Sequence, residues 1–149
     1  MIVLAPQQLK QIADAAEAAW PRECCGLLVG RGVRVVHVTR VVPAANLAPA
    51  ANRFDLDPRT RLAVERELRG TPERVVGHYH SHPDGSTRPS ATDLAAAYEP
   101  DLVWLIAGVV DAQVVHLAAH RLDRPSGRIH PVHLDCREKS ACKPRAIPT

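Results

Sequence analysis

Two histidines near the middle of the chain have the spacing of a shared metal site. His80 and His82 lie in Gly-His-Tyr-His-Ser-His-Pro, which is typical of a β-strand that Pro83 ends. Alternate residues of a strand share a face, so both imidazoles can point at one ion. Asp93 follows in the first turn of a predicted helix that Ser90 would cap. Two histidines and one carboxylate can hold a tetrahedral Zn²⁺ with water in the fourth position, and such a water ionises near neutral pH.

A hydrolase of this kind also needs a general base that is not itself a ligand. Glu23 is the candidate. It stands at the start of the apolar segment Cys-Cys-Gly-Leu-Leu-Val-Gly, where a carboxylate is unfavourable unless it has a function. It would take a proton from the attacking water and pass it to the leaving amine. The Ser90 hydroxyl could donate a hydrogen bond to the developing oxyanion.

Each of these residues has an ordinary structural explanation. The pair Ser90 and Asp93 resembles a helix capping box, and both roles can hold at once. Glu23 taken alone would be a solvated loop charge. A set of two histidines and one carboxylate also suits Fe(II) oxygenases, a metal enzyme class with different chemistry.

The order of the predicted elements favours a mixed, largely antiparallel β-sheet flanked by helices, an α/β fold of the α+β type. Helices are predicted over residues 6–20, 58–69 and 90–98. Strands are predicted over residues 2–4 (a short edge strand), 24–30, 33–42, 75–82, 102–110, 113–120 and 129–134, with a hairpin turn at 30–32. We expect one domain at 1–134 and a C-terminal tail at 135–149.

Composition excludes several functional classes. The chain has 149 residues, of which 46% are hydrophobic and 23% charged, as expected for one globular domain. Neither an apolar run of about 18 residues nor a basic, apolar leader is present, so a cytoplasmic protein without a membrane span is expected. The net charge is only +3, with no run of basic residues, which disfavours nucleic-acid binding. The oligomeric state stays open.

The pattern His-x-His-Pro-x6-Ser-x2-Asp, with an upstream Glu23, resembles the JAMM (MPN-plus) metallopeptidase family over residues 6–120. The resemblance implies one zinc ion per chain, with His80, His82 and Asp93 as ligands. It also implies Glu23 as general acid/base and Ser90 as oxyanion donor. The short form is most similar to the prokaryotic branch, which implies cleavage of an amide or isopeptide bond after the Gly-Gly tail of a ubiquitin-like or sulfur-carrier protein.

At one position the sequence differs from the relatives of this family. The residue two before the first ligand is usually a bulky aromatic, and here it is His78. On a regular strand His78 shares a face with His80, so it could pack beside the ligands or replace one of them. The long predicted loop at 43–55 offers Asn46, Asn52 and Phe54 as candidate substrate contacts, although turn chemistry explains the asparagines equally well.

The cysteines have a weaker claim to function. Cys24 and Cys25 are interpreted as small buried hydrophobic residues. Cys136 and Cys142, with His130 and His133 nearby, could form a second zinc site, but their spacing is irregular. The rival function is a non-catalytic MPN-fold module that binds a ubiquitin-like partner, and the intact set of candidate ligands argues against it.

Overall fold

The computed structural model describes residues 1–95, 99, 101–123 and 126–137, and these form one eight-stranded sheet with three helices. In chain order the elements are β1 (Ile2–Leu4), α1 (Pro6–Ala19), β2 (Cys25–Arg31), β3 (Val36–Ala44), α2 (Pro58–Leu68), β4 (Arg74–His82), α3 (Ala91–Ala95), β5 (Val103–Val110), β6 (Gln113–Leu122), β7 (Ile129–Val132) and β8 (Leu134–Cys136). None of the described helices is long and apolar enough to cross a membrane.

The sheet is mixed and mostly antiparallel, which confirms the predicted fold class. Its strand order is β7-β6-β5-β4-β2-β3-β1-β8. The pairs β4–β5, β1–β3 and β1–β8 are parallel, and the other four are antiparallel. The parallel pair β4–β5 at the centre is joined by the segment that holds α3, so β4 ends where that crossover begins.

Helices cover both faces of the sheet. Ile12 of α1 packs in the larger core with Leu28 of β2, while Val64 of α2 packs in a second core with Leu27. Because consecutive strand residues point to opposite faces, α1 and α2 lie on opposite sides. Both faces of the central strands are therefore buried, as the uninterrupted apolar sequence of β2 requires.

Several details differ from the sequence predictions. The segment predicted as one strand over residues 129–134 contains one strand, β7, and the start of another, β8. β1 is not at an edge, because it lies between β3 and β8. The sheet continues through Cys136, two residues beyond the predicted boundary at 134, because β8 pairs with β1 in parallel. The turn after β2 spans residues 32–35, with Gly32 at φ +97°, where 30–32 was predicted. The predicted end of the third helix, residues 96–98, lies outside the described residues.

Candidate metal centre

The register of two neighbouring strands brings Glu23 to the histidines. β2 and β4 are antiparallel, and Cys25 pairs with His80. Continuing this register by two residues places Glu23 opposite His82. The continuation is held by hydrogen bonds between Cys24 and Ser81: the Cys24 amide donates to the Ser81 hydroxyl at 2.8 Å, and the Ser81 amide donates to the Cys24 carbonyl at 3.2 Å. Sheet pairing therefore joins two segments that are 57 residues apart in the chain.

Four buried side chains converge on one point. The candidate ligand atoms of Glu23, His80, His82 and Asp93 all lie within 4.8 Å of one another. The Nε2 atoms of the two histidines are 3.2 Å apart, and Oδ2 of Asp93 lies 3.1 Å from the first and 3.0 Å from the second. These separations are close to the edges of about 3.3 Å expected between tetrahedral ligands of zinc.

Ser90 and Asp93 cap the first turn of α3 reciprocally. The Asp93 amide donates to Oγ of Ser90 at 3.0 Å, and the Ser90 amide donates to Oδ2 of Asp93 at 2.8 Å. The capping box inferred as a structural alternative is therefore present. It also fixes the carboxylate toward β4, so capping and ligand placement are served by the same two residues.

The donor set fits a cation. Nδ1 of His82 lies 3.0 Å from the Ser86 carbonyl oxygen, so in the neutral ring it carries the proton and Nε2 presents a lone pair. Burial lowers the pKa of His80, which keeps its ring neutral. Burial would raise the pKa of Asp93, but its close contacts with the His80 and His82 rings and the hydrogen bond from the Ser90 amide hold it below its usual value. A carboxylate and imidazole lone pairs that face each other in a buried site require a positive centre between them.

Glu23 has the environment of a proton-transfer group. Its Oε1 is buried without a hydrogen-bond partner, and burial raises the pKa of the carboxyl to about 7 against the opposing charge of His82. Burial lowers the pKa of His82 as well, but the bond to Asp93 and the charges of Asp93 and Glu23 raise it by more. A carboxyl that titrates near neutrality can both accept and release a proton.

Two cavities flank the four-residue cluster. A cleft of about 270 Å³ opens on the His82 side, and its lining includes Glu23, Asn52, Arg88 and Ser90. A mainly apolar cavity of about 390 Å³ lies on the other side, where Phe54, His78 and Trp104 line it. The Phe54 ring lines this cavity and stacks on His80 with centroids 4.2 Å apart.

His78 lies beside the candidate ligands and outside the cluster. Its ring centroid is 5.8 Å from that of His80 and 5.2 Å from that of Trp104, and its Nδ1 is buried without a partner. Burial lowers the pKa of His78 to about 3, so the ring is neutral. The structure thus places this residue in the apolar cavity, next to the ring of Phe54.

The loop between β3 and α2 is organised around one asparagine. The Asn46 amide nitrogen donates to the carbonyl oxygens of Glu23 at 3.0 Å and Arg53 at 2.9 Å. Its oxygen accepts the amides of Ala48 at 3.0 Å and Asp55 at 2.9 Å. Asn46 was predicted as a substrate contact, but its whole hydrogen-bonding capacity is used inside the protein. Asn52 lines the cleft and Phe54 covers His80, and substrate contact by either remains a prediction.

Sequence reasoning missed two residues that hold the turn after β4. His120 of β6 is buried, and its Nε2 donates to the Thr87 carbonyl oxygen at 2.7 Å. Gly108 of β5 pairs with His82 and lies against Gly85, where any side chain would collide. No local pattern marks either residue, because both act across the sheet on a segment more than 20 residues earlier.

The three cysteines that the structure describes take no part in the cluster. Cys25 is buried and Cys24 half-buried, both are free, and burial raises the pKa of each thiol, for Cys25 to about 12. They are therefore poor nucleophiles. Cys136 is free and exposed on β8, and Cys142 lies outside the described residues. Within the described part of the chain, no second group of three metal-ligating side chains is found.

Comparison with known families gives one match that covers most of the chain. Residues 6–122 match the family described as prokaryotic homologs of the JAB domain. The match includes all four residues of the cluster and Ser90.

Individual proteins agree with this assignment. The chain is 31% identical over 109 residues to the desampylase of Haloferax volcanii, covering 72% of this chain and 78% of that protein. It is 27% identical over 122 residues to the CysO-cysteine peptidase of Mycobacterium tuberculosis, covering 82% and 83%. A solution structure from Desulfitobacterium hafniense superposes with a TM-score of 0.81 at 31% identity, covering 93% of this chain and 94% of that one.

Proposed function

This chain belongs to the family of prokaryotic JAB-domain homologues, and from that membership and its site we propose a zinc-dependent peptidase acting on adducts of ubiquitin-like or sulfur-carrier proteins. It is a hydrolase of the JAMM type. The proposed bond is the amide or isopeptide bond that follows the Gly-Gly tail of the carrier. The observation that carries this proposal is the buried convergence of Glu23 with two histidines and Asp93.

Zinc is the proposed metal, held by His80, His82 and Asp93. Two imidazole nitrogens and one carboxylate oxygen are typical zinc ligands, and three protein ligands leave a position open for water. Zinc bound there would supply Lewis acidity toward the scissile carbonyl and lower the pKa of a water molecule. The Ser86 carbonyl supports this choice, because it fixes the His82 tautomer whose Nε2 can bind a metal.

Glu23 is the proposed general acid and base. Its unpartnered Oε1 lies in the cluster, and its pKa of about 7 suits transfer of a proton from the attacking water to the leaving amine. Ser90 is the proposed oxyanion donor. Ser90 lines the cleft, and its Oγ already accepts a hydrogen bond from the Asp93 amide. The hydroxyl proton is therefore free to be donated to a substrate oxygen.

The carrier substrate is supported by the relatives. One of them is named a desampylase and another a CysO-cysteine peptidase, and this chain covers more than three quarters of each. A non-catalytic binding module would have no use for a buried carboxylate oxygen without a partner, since such a group costs stability. That observation favours the catalytic function over the binding module.

The proposal is tested with purified protein loaded with zinc and a sulfur-carrier protein that bears one extra cysteine after its Gly-Gly terminus. We expect about one zinc per chain and release of the cysteine, measured by mass spectrometry. Glu23→Gln should retain the metal and lose turnover, because the amide cannot accept the proton. A protein that binds no zinc at saturating supply, or a Glu23→Gln variant that cleaves at the wild-type rate, would contradict the proposal.

A further inference from the structure

The turn between β4 and α3, residues 83–89, is a rigid element. The Gly85 amide donates to the His82 carbonyl at 3.2 Å, and the Ser86 amide donates to Oδ1 of Asp84 at 2.9 Å. Pro83 and Pro89 restrict the backbone at its two ends. We call this segment the 83–89 turn.

Contacts from outside fix the same segment. The Ser86 carbonyl is bound by Nδ1 of His82 and the Thr87 carbonyl by Nε2 of His120. The Arg88 amide donates to Oγ of Ser86 at 3.2 Å. The backbone that carries the Arg88 side chain is therefore anchored to both β4 and β6.

The Arg88 guanidinium is a free cation at the catalytic cleft. The side chain is exposed, and no hydrogen bond or ion pair engages it among the residues that the structure describes. It lines the cleft together with Glu23, Ser90 and Asn52, and it is the only arginine or lysine among the described lining residues. Two acids, Glu23 and Asp84, line the same cleft, and besides the proposed zinc ion Arg88 is the described lining residue that can offset their charge for an anionic ligand.

The two cavities define the line along which a substrate would lie across the metal centre. The metal centre lies between the apolar cavity on the His78 side and the polar cleft on the His82 side. A carrier whose tail approached from the apolar side would release its leaving group into the polar cleft, where Arg88 lies. A guanidinium presented by a rigid backbone recognises a carboxylate through paired, charge-assisted hydrogen bonds.

From this arrangement we infer that Arg88 binds the α-carboxylate of the leaving group, so that the favoured substrate is a carrier joined to a single amino acid. This inference rests on the proposed function and specifies its substrate class. In the reaction the C–N bond breaks, the water oxygen bonds to the carbonyl carbon, and the amine leaves with the proton from Glu23. The released amino acid keeps its carboxylate on Arg88. A lysine side chain in an isopeptide bond carries no carboxylate near the scissile nitrogen.

The test compares two substrates that differ only in that carboxylate. One is the sulfur-carrier protein extended by a single cysteine with a free C-terminus, and the other has the same cysteine as its C-terminal amide. We expect the wild type to prefer the free acid by roughly tenfold or more in kcat/KM, the scale of one charge-assisted contact. Arg88→Gln should lose this preference by slowing cleavage of the acid only, and Arg88→Lys should keep part of it.

Arg34→Gln is the matched control, because it removes the same charge from the turn between β2 and β3 at the far end of β2. It should leave the preference unchanged. Binding without cleavage is measured with the Glu23→Gln variant. This variant should bind the free-acid substrate more tightly than the amide substrate, and the double variant that also carries Arg88→Gln should bind both equally.

The outcomes separate the two proposals. Equal cleavage of the acid and the amide by the wild type, or an equal loss on both in Arg88→Gln, would overturn the role of Arg88 and leave the proposed function standing. Failure of the zinc-loaded wild type to cleave either substrate would overturn the proposed function, and this inference with it.

Discussion

Gly108 lies directly against Gly85: a Cβ atom added at Gly108 would come within 2.2 Å of the Gly85 carbonyl oxygen. The contact packs the 83–89 turn onto β5 beside the candidate ligand His82. Gly85 is closely packed as well, because a Cβ atom added there would come within 2.7 Å of Cγ2 of Val110. The position of the turn thus depends on the absence of a side chain at one residue of a neighbouring strand.

Gly108→Ala should displace the turn and weaken the metal site. Overpacking of this kind costs about 1–3 kcal/mol of stability, and loss of the support for His82 should reduce zinc affinity by about 10- to 100-fold. Zinc titration with a competing chelator measures the effect. Gly70→Ala is the control, because its φ of +74° makes an alanine strained there while nothing lies near its Cβ position, so it costs stability without displacing the 83–89 turn. Wild-type zinc affinity in Gly108→Ala would show that the turn does not support the site.

Asn46 should matter for catalysis without binding the metal. Asn46→Asp keeps the oxygen that accepts the Ala48 and Asp55 amides but loses the donor to the Glu23 carbonyl. We expect zinc content to stay the same and kcat to fall by about 10- to 100-fold, because small displacements of a catalytic group are costly. KM should change less than kcat. Steady-state kinetics on the carrier adduct and metal analysis give both quantities.

Thr71→Val provides the comparison for Asn46. It removes a hydroxyl that bonds the Leu68 carbonyl at 2.7 Å in the turn after α2. Like Asn46→Asp, Thr71→Val removes a hydrogen bond in a loop and should lower stability. Unlike Asn46→Asp, it should leave kcat unchanged. If Asn46→Asp retained the wild-type kcat, the link between this residue and Glu23 would have no catalytic consequence.

The convergence of His80, His82 and Asp93 was predictable because it depends on local periodicity. His80 and His82 share a face through the two-residue repeat of a strand, and Ser90 and Asp93 are related by the spacing of a helix cap. Glu23 could be assigned only with the help of family resemblance, because its position follows from the pairing of Cys25 with His80. Such a pairing is set by the whole sheet.

The missed features are non-local for the same reason. β8 follows a segment that is poor in apolar residues, and its pairing with β1 joins the two ends of the described chain. His120 becomes a support for the 83–89 turn only when β5 lies between β4 and β6. Asn46 lies in the predicted long loop. Its side chain is used inside the protein, because the carbonyl groups of Glu23 and Arg53 need hydrogen-bond donors.

The N-cap of α2 should give the protein a stability contribution that depends on pH. Asp57 accepts the Arg59 amide at 3.0 Å and pairs with the Arg59 guanidinium at 2.8 Å, and these bonds hold the pKa of the carboxyl below its usual value of 3.8. Since the folded-state pKa is lower than the unfolded one, the ionised form stabilises the fold. The contribution is present above the unfolded pKa and is lost as pH falls through the folded pKa.

Asp57→Ala should therefore lower Tm at neutral pH, and the gap to the wild type should stay constant down to about pH 5 and narrow below it, as pH falls through the folded pKa, which lies under 3.8. Thermal unfolding followed by circular dichroism at several pH values measures the gap. Asp14→Ala, which removes an exposed pair with Lys10 on α1, should have little effect at any pH. A gap that stays constant below about pH 5 as well would show that the cap does not act through its charge.

The identity of the third ligand can be decided between Asp93 and His78. Asp93 lies in the cluster, with its Oδ2 about equally far from both histidine nitrogens, whereas His78 lies outside it and packs against Trp104. Asp93→Ala should therefore weaken zinc binding by at least about 100-fold. His78→Phe, which keeps a ring in the apolar cavity, should bind zinc with wild-type affinity. Equilibrium dialysis against a zinc buffer measures both variants. The reverse result, with zinc retained in Asp93→Ala and lost in His78→Phe, would make His78 the ligand.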